Sequence, residues 1–558
     1  MFTQFFASDK GVLVICVAMS LLALFLNRKA SILAIDGPHD RLRYIGMAQT
    51  IIDGHWLGAY NHMTLIRLPT YPIFLALNSI AGWRLHVFQH SVYLLSILLL
   101  VAALRAVDIA RWRVIFVCVL CVFHPIPFYG VNLVATELIY TPSATAVIAG
   151  CLGLLGSHKR SIVYYGFWLV VLTFSSAMFW YTRPEGVWML PFYTICFGIF
   201  IWNCKNCLRD CWIRIAASLL IPCTFVLIVG NYLASINERY YGIRVTHEFA
   251  EPNMVDAFRW LTRLAPESHR RHVPITSKAM EDAYMVSPHF ALLKPYLSRQ
   301  TQGRGWSKFG CEWMNICDDL AGGWSCWAIR DAAASIGVYS SAVFASKFYA
   351  AIAREIRQAC ENAELSCSNN QTGNFLAPPV TLTDIPHILI SSGKMIVLAV
   401  TLGNFAVVAR AWDRFHPKRH IVRRYKDVTH DQSNKFPTNY WRVAAIHFKT
   451  YSLLQVSGML ILMVVFFMLL LRAVPGLNTR WLDKTRWMNI DGKRWKILAC
   501  TLILILSRIG IVGYVDAMSF MAQIRYLFVI YPPLMILFCL ALPRFNFLST
   551  KRNLYANK

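Results

Sequence analysis

Apolar runs of about 20 residues recur along this chain, and that is the length a helix needs to cross a bilayer. Charged residues make up only 15% of the sequence, against about 25% in an ordinary soluble domain. The pattern predicts an all-α polytopic membrane protein with about eleven transmembrane helices. The predicted spans are 11–27, 86–104, 113–130, 131–156, 162–180, 187–203, 215–233, 388–408, 451–471, 497–515 and 527–542.

The charge of the chain is concentrated where membrane topology would place it. The net charge is +26, and Lys and Arg cluster in short stretches between the predicted spans. Cytoplasmic loops of membrane proteins carry such an excess, so we interpret the charge as a topology signal with added attraction for the lipid bilayer. In a soluble protein this charge would suggest nucleic acid, but no nucleic-acid partner is predicted here.

The same rule orients the N-terminal half. It places the N-terminus in the cytoplasm and the segments 28–85 and 238–386 outside, provided that the apolar stretch 65–82 does not cross. Pro69 and Pro72 interrupt that stretch early, so we predict a half-embedded helix there.

The C-terminal topology stays open at this stage. The segments 410–449 and 472–496 are both strongly basic, yet a single apolar run separates them, so these spans cannot put both in the cytoplasm. We divide the chain into an N-terminal transmembrane module at 1–234, a mostly helical extracytoplasmic domain at 235–387 and a C-terminal transmembrane module at 388–558.

The cysteines fall into three groups. Most lie in apolar spans, where Cys acts as a small hydrophobic residue. Close pairs in the polar middle segment predict disulfides, and the odd count leaves at least one thiol unpaired. These five are Cys311, Cys317, Cys326, Cys360 and Cys367. A metal site at Cys204, Cys207 and Cys211 is the less favoured interpretation, because no clear fourth ligand lies nearby.

The first external loop, 28–85, carries the chemistry. Asp36 and Asp40 stand four residues apart just after the first span, and the apolar side of the following segment predicts an amphipathic helix over 42–52. Such a helix lies in the membrane interface and would hold both carboxylates beside a lipid headgroup, where a carboxylate can act as a general base. The alternative is that both are solvated acids that cap the helix.

The stretch "GHWLGAYN" at 54–61, followed by "TLIRLPTYPIFLAL" at 64–77, resembles the first external loop of the GT-C glycosyltransferases. Protein O-mannosyltransferases and lipid A aminoarabinose transferases are familiar members. The resemblance covers 11–203 and, more weakly, the last span. It implies a GT-C-like fold and the use of polyprenyl-phosphate sugars. The middle domain and the long basic loop look closer to uncharacterised bacterial members.

The resemblance implies roles for individual residues. Asp40 looks like the catalytic carboxylate of the first loop, with Asp36 as a second candidate. The candidates for binding the donor and its phosphate are Arg67, Arg183, Arg525 and Tyr526. The candidates for binding the sugar or the acceptor are Tyr60, Asn61, His62, Glu137 and Glu185. For each single arginine the alternative is a side chain that merely extends to the interface, and for Glu137 it is a span-end acid with a local partner.

These residues predict an inverting glycosyltransferase that moves a sugar from a polyprenyl phosphate to a glycan, lipid or protein hydroxyl on the outer face. The alternatives are a transporter or flippase, or a polymerase or ligase, for lipid-linked sugars. The sequence assigns no cofactor with certainty and leaves a divalent metal, Mg²⁺ or Mn²⁺, open. The expected location is a bacterial inner membrane, with the endoplasmic reticulum as the alternative. The stretch 324–331 is expected to start a buried helix, the other option being a sugar-stacking surface.

Overall fold

The computed structural model describes residues 8–37, 40–157, 160–204, 208–403, 405, 418–432, 434–473 and 492–542. Those residues form helices and loops without a β-strand, and their extended contacts are two isolated bridges, Leu264 with Cys367 and Arg270 with Val273. The prediction of an all-α polytopic membrane protein is therefore confirmed. Within the described residues, ten segments are long and apolar enough to cross a membrane, and the 34-residue helix Tyr440–Ala473 also has the necessary length.

The helices of the N-terminal part are α1 (Asp9–Asn27), α2 (Arg41–Ile52), α3 (Thr70–Ile80), α4 (Leu85–Ala106), α5 (Arg111–Val122), α6 (Pro125–Gly130), α7 (Glu137–Ser157), α8 (Ile162–Thr182), α9 (Leu190–Asn203) and α10 (Leu208–Tyr241). The helices of the polar middle part are α11 (Pro252–Leu261), α12 (Ser277–Val286), α13 (Pro288–Ala291), α14 (Lys294–Leu297), α15 (Ser307–Met314), α16 (Trp324–Ser335) and α17 (Ala342–Glu361). The C-terminal part contains α18 (Ile385–Val400), α19 (Arg419–Thr429), α20 (Tyr440–Ala473), α21 (Gly492–Met518) and α22 (Tyr531–Ala541). Short 3₁₀ turns lie at Gly186–Met189, Glu248–Ala250, Pro266–Ser268, Val338–Ser340, Leu382–Asp384 and Ile524–Ile530.

The first external loop folds close to the prediction. The amphipathic helix α2 buries Tyr44, Met47 and Ala48, and α3 is an apolar helix of 11 residues, too short to cross a bilayer. The third predicted span is divided at His124, because Pro125 cannot continue the hydrogen bonding of α5 and instead begins α6.

The fourth predicted span begins at Glu137, six residues later than expected, because turns occupy the intervening residues. This shift places the carboxylate of Glu137 at the N-terminus of α7, where the helix dipole favours an anion.

The chain between α18 and α20 lies on the face of the bundle that carries the middle domain, here called the domain side. Tyr440 starts α20, and its hydroxyl lies 2.6 Å from Asn27 Oδ1 and 2.7 Å from Asn132 Nδ2. Asn27 ends α1 and leads into the first external loop. Asp431 makes an ion pair with Arg84 in the same loop, N–O 3.1 Å. The described part of the basic segment 410–449 that precedes α20 therefore lies on the domain side.

Helix α18 enters the bundle from the domain side and ends inside it. The side-chain amide of Gln455 donates to the carbonyl of Val400 at 2.9 Å. Gln455 lies fifteen residues along α20, so the end of α18 is at a depth of about 22 Å from the start of α20. Five residues later, the ring centre of Phe405 lies 5.1 Å from that of Phe448. Phe448 is only eight residues along α20, at a depth of about 12 Å from the start of that helix. The chain has thus turned back towards the domain side, and α18 does not complete a crossing.

This turn resolves the conflict left by the sequence. The remaining spans of the described residues make ten crossings, and α20 runs from the domain side to the opposite face. Arg113 at the start of α5 and Arg494 near the start of α21 both donate to the carbonyl of Leu540. The segment 472–496 therefore has its described end on the face opposite the domain, so the described parts of the two basic segments lie on opposite faces.

The middle domain has its own hydrophobic core, built from α11 to α17 and including Phe258, Phe290 and Ile352. Helix α17 buries Phe348, Ile352 and Ile356 against this core, whereas the side chain of Phe344 is 49% exposed. Two disulfides, Cys311–Cys317 and Cys360–Cys367, brace the domain, and Cys326 is the buried free thiol of this group. Of the cluster at 204–211, Cys204 and Cys211 are buried, and Cys207 lies outside the described residues.

A buried ion pair joins the middle domain to the first external loop. Arg330 on α16 pairs with Glu248, N–O 2.5 Å, and it also donates to the backbone carbonyl of His62. The hydroxyl of Tyr60 donates to the other oxygen of Glu248 at 2.7 Å. Both charged side chains are almost completely buried, so each depends on the other for compensation.

Replacement Glu248→Gln should lower the free energy of unfolding by about 3–5 kcal/mol, because it leaves the guanidinium of Arg330 buried without a counter-charge. Denaturant-induced unfolding of the purified full chain measures this. Glu238→Gln is the matched control, because its pair with Arg244 is about half exposed on both sides, and it should cost about 1 kcal/mol or less. Equal effects of the two substitutions would contradict the compensation argument.

The domain-side position of α19 predicts a labelling pattern. A membrane-impermeant maleimide added to sealed vesicles should label Arg423→Cys from the same side as Ser340→Cys in the middle domain, and Arg160→Cys from the other side. All three residues are exposed. If Arg423→Cys were labelled together with Arg160→Cys, α18 would complete a crossing and the proposed turn would be wrong.

Candidate active site

A cavity of about 690 Å³ lies between the domain-side ends of the transmembrane helices and the middle domain. Charged and aromatic residues both line it, and the aromatic part of the lining is here called the aromatic wall. The charged lining comprises Asp40, Arg67, Glu137, Arg183, Glu185, Arg508 and Arg525. The aromatic lining includes Phe249, Phe309, Trp313, Trp324, Trp327, Phe375, Phe520 and Tyr526. Residues far apart in the sequence therefore meet at one place, at the boundary between bundle and domain.

Asp40 precedes α2, but its carboxylate does not cap the helix. It turns instead to two arginines: Arg525 Nη1 donates to Oδ2 at 2.9 Å, and Arg67 Nη2 lies 3.7 Å from Oδ1. About a third of each of these three side chains is exposed in the cavity. Burial by itself would raise the pKa of Asp40, but the charges of Arg67 and Arg525 outweigh it and lower the pKa. Asp40 is therefore ionised at neutral pH.

A second set of ion pairs continues from Arg525 along the cavity wall. Arg525 Nε lies 3.8 Å from Glu137 Oε1, and Arg183 Nη1 donates to the same oxygen at 2.7 Å. Arg183 also pairs with Glu185 at 2.9 Å, and Arg508 pairs with Glu185 at 2.7 Å. Opposite charges alternate along this wall, so each charge has a compensating neighbour in a place where water is scarce.

The aromatic rings around these pairs fix the guanidinium groups. The guanidinium carbon of Arg183 lies 5.3 Å from the ring centre of Tyr526 and 5.7 Å from that of Tyr140. Trp188 Nε1 donates to the hydroxyl of Tyr140 at 2.7 Å, and Arg508 Nε donates to the carbonyl of Tyr526 at 2.9 Å. Tyr526 thus serves as a support for two arginines through its ring and its backbone.

Sequence reasoning missed Arg508, which belongs to the same network. Its side chain is only 2% exposed, within the apolar helix α21. A lone arginine within a predicted span is costly unless it faces a cavity or a counter-charge, and that signal was present in the sequence.

The aromatic wall comes from the middle domain and the end of α21. Trp324 begins α16, as expected for the stretch 324–331, and both Trp324 and Trp327 line the cavity. The ring of Phe309 stacks on Trp324 with centres 5.7 Å apart, and Trp313 meets Trp324 edge-on at 5.8 Å. Trp313 is 49% exposed. The middle domain therefore contributes exposed ring surface to the same cavity as the charged residues.

Four of the predicted site residues do not line this cavity. Asp36 is exposed on the loop before α2. Tyr60 is held by Glu248, and His62 Nε2 lies 3.3 Å from Asp331 Oδ1, so both contact the middle domain. Asn61 lines a separate groove. Tyr60 and His62 therefore help to hold the first external loop against the middle domain.

The carboxylates on the cavity do not form a ready metal site. Asp40, Glu137 and Glu185 each have an arginine as a close partner, and a divalent cation would have to displace one of these guanidinium groups. The described residues contain no group of three or more His, Cys, Asp or Glu side chains arranged to hold a metal ion.

No protein-family model and no curated protein matches this chain. Among solved structures, ArnT from Cupriavidus metallidurans bound to undecaprenyl phosphate aligns with 95% of this chain and 77% of its own, at 12% identity and a TM-score of 0.33. The apo form of ArnT aligns with 96% and 78%, at 13% identity and a TM-score of 0.32. At these TM-scores the likeness is too loose to support an argument about this chain.

Acid should weaken the ion-pair network in a defined pH range. Burial raises the pKa of Glu185, but Arg183 and Arg508 outweigh it and lower the pKa from 4.5 to about 2. The stabilising contribution of Glu185 is therefore complete above pH 4.5 and is lost as the pH falls from 4.5 towards 2.

Thermal unfolding of wild type and Glu185→Gln at pH 7 and pH 3 tests this. We expect the stability advantage of wild type over the variant to shrink at pH 3, because only the wild type has this carboxylate to protonate. Glu361→Gln, at an exposed position of α17, is the control and should track wild type at both pH values. An unchanged difference between wild type and Glu185→Gln would refute the assignment.

Proposed function

We propose that this protein is an inverting membrane glycosyltransferase that moves a sugar from a polyprenyl phosphate to an acceptor hydroxyl on the domain side of the membrane. The observation that carries the proposal is the meeting of Asp40, Arg67 and Arg525 at one cavity beside the bilayer. A carboxylate that can take a proton and two cations that can hold a leaving phosphate are the groups that such a transfer requires.

The arginines suit the donor's phosphate. A guanidinium donates in a fixed fork that matches phosphate oxygens, and charge-assisted hydrogen bonds of this kind are among the strongest in proteins. Arg67 and Arg525 are partly exposed in the cavity, so an entering phosphate can reach them. Arg183 is 16% exposed and is already held by two glutamates, so we assign it to positioning Glu137 and Tyr526.

Asp40 becomes a base when the donor arrives. With two guanidinium partners its pKa is lowered, and a carboxylate in that state is a weak proton acceptor. A phosphate that binds Arg67 and Arg525 draws those cations away from Asp40, and the pKa of Asp40 then rises. Donor binding thus switches on the base.

The transfer itself follows from this arrangement. Asp40 takes the proton of the acceptor hydroxyl, and the hydroxyl oxygen forms a bond to the anomeric carbon from the face opposite the phosphate. The bond from that carbon to the phosphate oxygen breaks, and polyprenyl phosphate leaves with the electron pair, stabilised by Arg67 and Arg525. The configuration at the anomeric carbon is inverted.

The aromatic wall would hold the sugar being transferred or the ring of the acceptor. Trp313 and Trp324 line the same cavity as the charged residues, and Trp313 is about half exposed. Sugar rings have apolar faces that pack on aromatic side chains, whereas their hydroxyls bind charged groups such as Glu137. A cavity with one aromatic and one charged wall meets both requirements.

The GT-C resemblance of the first external loop leads us to propose a bacterial inner membrane as the location and a glycan, lipid or protein as the acceptor. The rival function is a transporter or flippase for lipid-linked sugars. It would use the same arginines for the phosphate but would break no glycosidic bond. The two functions therefore differ in whether the sugar leaves its lipid.

Replacement Asp40→Asn should reduce transfer about 100-fold or more, as expected when a general base is removed. The measurement is release of labelled sugar from a panel of polyprenyl-phosphate sugars by the full chain in membranes. Asp36→Asn is the matched control, since Asp36 lies four residues away and outside the cavity, and it should keep wild-type activity. Full activity of Asp40→Asn would overturn the base assignment. Movement of intact donor across the bilayer without sugar release would establish the transporter instead.

A further inference from the structure

A second polar groove, of about 440 Å³, lies on the domain side between α2 and α19. It shares no lining residue with the cavity described above, and Asn61 is the one residue of its lining that the sequence predicted to bind the sugar or the acceptor. Its polar lining consists of Arg43, Gln49, Thr50, Asn61, Arg424 and Asp427. Two arginines, two amides, a hydroxyl and a carboxylate therefore face one space.

The helix that forms one wall of this groove is strongly basic on its free face. In α19, Ile421, Tyr425 and Val428 are buried against the first external loop, where the hydroxyl of Tyr425 donates to the carbonyl of Ile35 at 2.8 Å. The remaining positions are mostly exposed and cationic. They are Arg419, His420, Arg423, Arg424 and Lys426, with Asp427 as the exposed acid of the helix. Among the described residues these cations make no ion pair.

This charge needs an explanation other than topology. Basic residues that orient a membrane protein lie on the cytoplasmic side, but α19 lies on the domain side, with Asp431 just beyond its end bound to Arg84 and His86. Unpaired positive charge gathered on one helix repels itself unless an anion compensates it. A negatively charged partner on the domain side would compensate the charge of α19.

The groove is shaped to receive such a partner. Gly46 on α2 leaves the space open: a β-carbon at that position would lie 3.3 Å from Nη2 of Arg424 and near nothing else. Arg43 donates through Nη2 to the hydroxyl of Thr64 at 3.1 Å, while its Nε is buried without a hydrogen-bond partner.

We propose that this groove binds a phosphate-bearing sugar, the headgroup of the acceptor, with its phosphate on Arg43 and Arg424 and its hydroxyls on Asn61, Gln49 and Asp427. The amides and the carboxylate suit hydroxyl groups, which both donate and accept, and two arginines suit a phosphate. That the bound sugar belongs to the acceptor rests on the proposed function. Asp40, the proposed base, lies six residues before Gly46, which corresponds to about 9 Å along the axis of α2. A headgroup in the groove would thus be bound on the helix that the base directly precedes.

The test is equilibrium binding of labelled glucose 1-phosphate to the full chain in phosphatidylcholine nanodiscs. Arg424→Gln should weaken binding at least tenfold, since it removes a charge-assisted contact. Gly46→Leu should abolish binding by filling the groove. Arg304→Gln, at an exposed position of the middle domain, is the charge control and should have no effect.

The outcomes separate the alternatives. Wild-type binding by both Arg424→Gln and Gly46→Leu would overturn the proposal. Equal affinity for inorganic phosphate and glucose 1-phosphate would overturn the assignment of a sugar, and loss of binding in phosphatidylglycerol nanodiscs would assign the groove to a lipid headgroup. Asp40→Asn should bind glucose 1-phosphate normally. If the protein binds glucose 1-phosphate in the groove but transfers no sugar from any donor, the groove assignment holds and the proposed function is wrong.

Discussion

The structure depends on a row of alternating charges at the edge of the membrane. Asp40, Arg525, Glu137, Arg183, Glu185 and Arg508 form a continuous series of ion pairs. Its members come from the first external loop, the start of α7, the connection after α8, the middle of α21 and the turn before α22. Any one of these charges alone would be expensive at this depth. Together they hold five distant parts of the chain in register and leave a cavity beside them.

The charged residues at this site differ in how far they are exposed to the cavity. The buried members, Glu137 and Arg508, are 4% and 2% exposed and act as the fixed part of the network. Asp40, Arg67 and Arg525 are each about one third exposed and can exchange partners with an anion from the cavity. A fixed set of charges next to an exchangeable set is what a phosphate-binding site needs, because binding then costs little rearrangement.

The sequence predicted the helices well where one physical signal dominated. Hydropathy located α1, α4 and α7 to α10, and the apolar side of α2 was visible in its spacing. The convergence of Asp40, Arg67 and Arg525 could be anticipated only through the resemblance to a family, because spacing carries no information about contacts between residues 485 positions apart. Tyr60 and His62, predicted to bind the sugar or the acceptor, instead contact Glu248 and Asp331, which lie in a domain whose docking the sequence did not specify.

The turn at the end of α18 has a consequence for how the protein is made. The segment Leu382–Val400 is apolar enough to be taken for a crossing helix, and an insertion machinery that acts on hydropathy alone would thread it through the bilayer. Its final position instead depends on contacts with α20, α21 and the 3₁₀ turn at Ile524–Ile530, all of which are synthesised later. The topology of the C-terminal third is therefore a product of tertiary folding, and a chain cut short after α19 would lack the contacts from α20 and α21 that hold α18 in its final position.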